Sequence, residues 1–184
     1  LTLLFCFSMY IAKRTLRHEF DPRVFPNETY LLCELEWGRS GRYWQHWVRN
    51  VDHENYHAEQ FFLEEIFEPR SYNFCNITWY LSWSPCWRCC KIIQDFLERE
   101  QNVYIEIRVA RLYYPEIPRN RSALWELHNK QGVNYLASIP PDYEFCWRTF
   151  TQSGFNYDFR AEDFQLALQR NRLMLEDILQ VSTL

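Results

Sequence analysis

Two short stretches constrain this chain more than any others: His57-Ala58-Glu59 and, twenty-five residues further on, Pro85-Cys86-Trp87-Arg88-Cys89. Each opens a predicted helix that follows a predicted strand. Pro85 suits the first turn of its helix, where its missing N–H would be unpaired in any case. Cys86 and Cys89 are three apart and share one helical face. The partial positive charge at a helix start lowers a thiol's pKa and readies it as a ligand. Zinc favours nitrogen and sulfur donors in a tetrahedron, and His57 supplies a third ligand. Three protein ligands leave the fourth position for water, as in catalytic rather than closed structural sites. Either half alone is a weak signal, since a histidine at a helix start is by default solvated and two cysteines can form a redox pair. Together they predict one zinc site. Cys90 is four from Cys86 and near the same face, where a fourth thiolate would close the site; it is expected instead in the core as a small apolar residue.

Glu59 gains its meaning from that site. Zinc lowers the pKa of a bound water towards neutrality. A carboxylate beside it can take the proton and later deliver it to a leaving group. Glu59 is therefore expected to be a proton shuttle and not a ligand.

The bulk properties set the class. A length of 184 residues suits one domain, 1–184, with a single core. Apolar residues make up 47% and aromatics 18%, with only four glycines, which is the make-up of a packed globule with rings left over for its surface. The net charge of −4 excludes gripping a polynucleotide by bulk charge, though not by a local basic groove. Seven irregularly spaced cysteines and no secretory pattern point to an intracellular protein with reduced thiols. Residues 1–14 form an apolar lead-in, "LTLLFCFSMYIA" followed by Lys13 and Arg14. It is too short to span a bilayer and has no basic region before it, so no membrane association is expected.

Strand and helix patterns alternate along the chain without repeats or linkers. Strands are expected at 29–37, 43–48, 76–81, 103–110 and 134–139, with "GRSG" turning the first hairpin. Helices are expected at 57–68, 86–99, 119–131 (ending at Gly132), 141–152 and 160–180. The order β-β-α-β-α-β-α-β-α-α fits an α/β fold with a five-stranded mixed sheet covered by helices.

The spacing H-x-E…P-C-x-x-C is a known signature of zinc deaminases that act on nucleobases. With "HAE", "SWSPCWRC", "VARLYY" (109–114) and "FCWRTF" (145–150), the chain resembles the AID/APOBEC family of polynucleotide cytosine deaminases over roughly residues 17–152. Residues 19–38 and 110–121 are most similar to the founding, mRNA-editing branch. The resemblance implies a cytidine-deaminase-like fold, a five-stranded sheet flanked by about six helices, and one Zn2+. It implies hydrolytic deamination of cytosine to uracil in single-stranded DNA or RNA, with His57, Cys86 and Cys89 on the metal and Glu59 as the catalytic shuttle. Zinc-bound hydroxide would attack C4. Ala58 would leave room for the base, Trp83 would wall the pocket, and the Ser84 backbone would contact the base. Tyr113, with Tyr114 beside it, would stack near the target; Arg111 would be structural or contact phosphate; Thr29 and Asn50 would touch the target nucleotide. The implied setting is the cytoplasm, the nucleus or both, with an RNA-binding protein partner and a homodimer as further expectations. The family's binders are often basic and the branch carries a further C-terminal extension, whereas this chain is acidic and stops soon after its last helix. That weighs against mRNA editing more than against DNA deamination.

Two runs could hold the polymer. "GRSGRYWQHWVRN" (38–50) sets Arg39, Arg42 and Arg49 among Tyr43, Trp44 and Trp47, although strand alternation would turn half of the rings inward. "RLYYPEIPRNR" (111–121) follows a strand end, where ligands gather in open sheets, and adds Arg119 and Arg121. Such loops argue against a free-nucleoside deaminase. The alternative of another class is a catalytically silent, zinc-stabilised nucleic-acid-binding or scaffold module.

Overall fold

The structure is a computed structural model that describes residues 10–38, 42–50, 56–69, 73–138, 143–152 and 159–180. Five strands, β1 (Tyr30–Trp37), β2 (Arg42–Arg49), β3 (Cys75–Leu81), β4 (Val103–Val109) and β5 (Val133–Ser138), form one sheet in the order β2-β1-β3-β4-β5. β1 runs antiparallel to both β2 and β3, while β3, β4 and β5 are mutually parallel. Parallel neighbours need crossovers. α3 (Trp87–Arg99) and α4 (Pro118–His128) supply them. The mixed five-stranded sheet expected from the sequence is the sheet observed.

Alternation along the strands divides the core into two layers. Leu31, Cys33, Leu35 and Trp37 of β1 join Ile77, Trp79 and Leu81 of β3 and Ile105 and Ile107 of β4 on one face. There they pack against Phe62 and Leu63, against Ile93, Phe96 and Leu97 of α3, and against Leu124 and Leu127 of α4. Tyr30, Leu32 and Tyr80 face the other way. They meet Leu16 and Phe20 of α1 (Lys13–Phe20) and Tyr143, Cys146, Trp147 and Phe150 of α5 (Tyr143–Phe150). α6 (Gln165–Gln180), entered through a 3-10 turn at Ala161–Phe164, contributes Leu168 to the second layer and Leu175 and Ile178 to the first. The sheet is covered on both faces, which explains why β1 is buried along nearly its whole length. No helix among the described residues is long and apolar enough to cross a membrane.

The structure departs from the sequence reading in local detail. α1 was not among the expected elements, because Lys13, Arg14, Arg17, His18 and Glu19 leave only Leu16 and Phe20 to signal a buried stripe. The lead-in ends in structure: Ile11 pairs with Thr151, and its N–H donates to Phe150 O at 2.8 Å. The helix expected over 57–68 is α2 (Ala58–Phe61) followed by a π turn at Phe62–Ile66, in which the Phe67 N–H reaches back to Phe62 O at 2.9 Å. Of the "GRSG" turn only Gly38 is described, and residues 139–142, which the sequence split between β5 and α5, lie outside the described residues.

α4 ends at His128, and Gly132 opens β5 with φ +95°. A Cβ there would meet Val103 O at 3.3 Å and a Leu97 methyl at 3.4 Å. Gly132→Ala is therefore expected to cost about 1–3 kcal/mol of stability, from left-handed strain plus crowding. Urea unfolding measures this, and an unchanged midpoint would contradict it.

Candidate metal centre and the loops around it

Both halves of the motif sit at helix starts. His57 caps α2 and Cys86 caps α3, each in extended conformation. Their carbonyls accept the first helical N–H groups, from Phe61 at 3.0 Å and from Cys90 at 2.9 Å. Pro85 thus stands one residue ahead of the cap rather than in the first turn. The sheet delivers these starts to one place: β3 runs directly into 82–86, and Cys89 follows within the first turn of α3.

His57 Nδ1 lies 3.5 Å from Cys86 Sγ and 3.3 Å from Cys89 Sγ, and the three donor atoms all fall within 4.8 Å of one another. Tetrahedral zinc with ordinary Zn–N and Zn–S lengths would set nitrogen and sulfur about 3.5–3.6 Å apart. The donors fit that cation in kind and in spacing. Cys90 takes no part: it is fully buried in the core and its thiol faces Pro85 O at 3.6 Å.

Charge at the site follows from crowding. The Cys86 thiol is held down to about 4, first by the hydrogen bond from Cys89 and then by His57, while Cys89 is pushed up by that same bond. Without a cation the pair is one thiolate and one thiol. His57 is raised by its bond to Cys86. Glu59 is only 3% exposed, with Oε2 3.5 Å from Cys89 Sγ, and burial pushes its carboxyl up to about 7. An acid of that strength can both take and give a proton near neutrality. Ala58, between the two, is fully buried.

The loops after β3 and β4 are stitched together beside this group. The Ser84 N–H donates to Arg111 O at 2.8 Å, and the Tyr113 N–H donates to Ser84 Oγ at 2.9 Å. Trp83 is half-buried; its Nε1 donates to Pro26 O at 3.1 Å and its ring meets the edge of Tyr113 at 6.2 Å. Tyr113 is 36% exposed. Its phenol is raised by burial first, then by Cys86 and Cys89, which sets it within electrostatic reach of the thiols. Tyr114 is exposed and holds φ +39°, an uncommon conformation for a side-chain-bearing residue and one that gathers at functional sites.

For Arg111, grouped with the substrate contacts, the resemblance left a structural role or a phosphate contact open; it is 2% exposed, which favours the structural role. Its guanidinium donates to Asp21 O and Val24 O at 2.8 and 2.9 Å and to Glu19 O, and it lies 4.5 Å from the Trp83 ring. It fastens the α1–β1 connection and supports Trp83, with no face towards a phosphate. Arg121 is likewise tied to α6 through Asp177 at 2.6 Å. Arg119 is exposed, its guanidinium 3.3 Å from the Trp87 ring centroid.

Thr29 and Asn50 form a closed pair. The Thr29 N–H donates to Asn50 Oδ1 at 3.0 Å and the Asn50 N–H to Thr29 O at 3.1 Å, clamping the start of β1 to the end of β2. On β2, alternation puts Tyr43 and Trp47 on one face and Trp44 on the other; Tyr43 and Trp44 are exposed, while Trp47 stacks on Tyr30. Arg39 and the side chain of Arg42 lie outside the described residues, and Arg49 approaches Glu28 at 3.7 Å.

Sequence reasoning missed Asn120. It is 3% exposed, yet it sits in "PRNR" like any polar residue at a helix start, so nothing local marks it. Its Oδ1 accepts the Trp87 N–H at 3.1 Å, and its amide group donates to Tyr113 O and Tyr114 O at 3.3 Å each.

A His/Cys/Cys donor group on two helix starts, with a buried carboxyl against it and a half-parallel sheet behind, defines the nucleobase-deaminase class of sites. Within that class the chain belongs to the AID/APOBEC deaminase family: the family model described as APOBEC4-like AID/APOBEC-deaminase matches residues 19–153. It is 38% identical to the C->U-editing enzyme APOBEC-1 of Rattus norvegicus over 147 residues, 76% of this chain and 62% of that protein. It is 37% identical to its Homo sapiens counterpart over 134 residues, 71% of this chain and 55% of the relative. With the DNA dC->dU-editing enzyme APOBEC-3Ca of Felis catus it shares 34% over 125 residues, 61% of this chain and 65% of the relative. The chain thus spans a little over half to about two thirds of these relatives' lengths. The expected likeness to the mRNA-editing branch agrees with these matches.

Proposed function

We propose that this chain is a zinc-dependent deaminase that converts cytosine to uracil in single-stranded DNA or RNA, releasing ammonia as water is added. The observation that carries the reading is the convergence of His57, Cys86 and Cys89 within 4.8 Å, with the buried Glu59 against Cys89. Those three residues would hold the zinc, which supplies the Lewis acidity that makes water a nucleophile at neutral pH. Glu59, with its pKa near 7, takes the proton of the water, passes it to the ring nitrogen and serves the departing amine. Ala58 has no side chain beyond Cβ to obstruct the base. Trp83 is braced by Pro26 and Arg111 and gives the base a fixed wall. The Ser84 N–H is already bonded to Arg111 O, so a contact to the base falls to the Ser84 carbonyl. Tyr113 and Tyr114 are the exposed rings for the neighbouring base, and the Thr29–Asn50 clamp holds the rim between β1 and β2. Single strands are favoured because C4 is inaccessible within a stacked duplex. On this reading the enzyme acts in the cytoplasm, the nucleus or both, alone, as a homodimer or with an RNA-binding protein.

The test is a deamination assay with zinc-loaded protein on single-stranded DNA and RNA oligonucleotides, each carrying one cytosine behind each of the four bases. Conversion to uracil is expected, with a 5′ preference that Tyr113→Ala alters. Zinc and strand binding without conversion would instead identify a silent scaffold. An unchanged preference in Tyr113→Ala would remove that residue from the reading loop.

A further inference from the structure

We infer that Asn120 is a positioning residue that couples the metal-bearing start of α3 to the loop reading the base beside the target. The inference rests on the deaminase reading above. The Trp87 N–H belongs to the first residue of α3, next to Cys86, and has no acceptor within its own helix. Asn120 Oδ1 supplies that acceptor at 3.1 Å from the start of the following helix, α4. The nitrogen of the same amide donates to the carbonyls of Tyr113 and Tyr114, 3.3 Å from each. One planar group thereby ties the residue after a metal ligand to two consecutive residues of the β4–α4 loop.

The orientation of the amide admits no alternative. Its oxygen must face an N–H and its nitrogen two carbonyls, so a flipped amide would leave all three contacts repulsive. At 3% exposure water cannot replace the lost partners. The coupling meets a loop already under constraint: Tyr114 holds φ +39°, and the Tyr113 N–H is fixed by Ser84 Oγ from the opposite side. Ser84 holds the loop by its N–H, and Asn120 holds it by its carbonyls. The backbone of Tyr113 is thus held by two side chains, Ser84 and Asn120, of which only Ser84 lies in the recognised motif.

The experiment uses Asn120→Asp, which keeps the acceptor for the Trp87 N–H and replaces both donors with a charge facing two carbonyls. Zinc per chain and conversion in the four 5′ contexts are measured for wild type, Asn120→Asp and Tyr113→Ala. The ratio of best to worst context is expected to fall about fivefold in Asn120→Asp, the scale of one or two lost neutral hydrogen bonds, towards the profile of Tyr113→Ala. Zinc content should hold, and the loss should fall on KM more than on kcat. A wild-type ratio in Asn120→Asp would overturn the inference. If that variant fails to fold, amide exchange in the wild type decides. Protection of the Trp87 N–H comparable to the interior of α3 supports the coupling, and exchange at the rate of an unpaired helix-start amide refutes it. If wild type converts no strand at all, the deaminase reading fails. The same ratio, taken from oligonucleotide affinities by fluorescence anisotropy, then still judges Asn120.

Discussion

Glu59→Gln is expected to lower cytosine conversion by about 10²–10⁴-fold, the usual reach of general acid–base catalysis, and to leave zinc content unchanged. The substitution keeps the shape of the side chain and removes only its ability to carry a proton. Glu59 is 3% exposed and lies against Cys89, so its proton moves in a site shielded from bulk water. The same substitution gives a stability signature in the metal-free protein. Burial lifts the carboxyl from its ordinary 4.5 to about 7 in the fold. The fold therefore binds this proton more tightly than the unfolded chain does. The stability tied to it is fully present below about 4.5 and is lost as pH rises through about 7. The difference between the wild-type and Glu59→Gln unfolding curves, taken from pH 4 to pH 8, should show that slope. Normal conversion by the variant would end the assignment of Glu59 as shuttle.

Removal of zinc should abolish conversion and lower Tm by about 10 °C when free metal had stood about a thousandfold above Kd. That excess corresponds to about 4 kcal/mol of linkage, at roughly 2–4 °C per kcal/mol for a chain of this size. The ligands come from two helix starts, His57 on α2 and Cys86 and Cys89 on α3, so the cation links elements that the chain joins only through β3. Cys89→Ala should reproduce the loss without chelator. Acid should release the metal as well, since protons compete for the thiolates and the imidazole. Differential scanning calorimetry with and without chelator checks the shift. An unchanged Tm would mean that the His57/Cys86/Cys89 group holds nothing that the fold depends on.

The residues legible in the sequence share one property: their meaning is local. A metal site needs particular donor atoms, and a helix start fixes where they point, so the group of His57, Cys86 and Cys89 that the fold brings together was legible from spacing, with Glu59 two residues from His57. The strands were legible for a related reason. Val103, Ile105, Ile107 and Val109 alternate because one face of β4 is buried against the helices. α1 was not legible, since its burial depends on α5 arriving more than a hundred residues later: Phe20 O accepts from Tyr143.

The same distinction separates what the chain determined by itself from what only the tertiary structure decided. The sequence by itself marked out the His57, Cys86 and Cys89 donor group, Glu59 beside it and the five-stranded mixed sheet, each of them a matter of residue type and period. Only the folded structure decided between phosphate contact and burial for Arg111, because that depended on carbonyls of Asp21 and Val24 brought to it from 90 and 87 residues away. It also stacked Trp47 on Tyr30 and left Tyr43 and Trp44 exposed. And it gave Asn120 three partners on α3 and the β4–α4 loop. A hydrogen bond needs a partner within about 3 Å, and no pattern in one segment states which distant backbone will stand there.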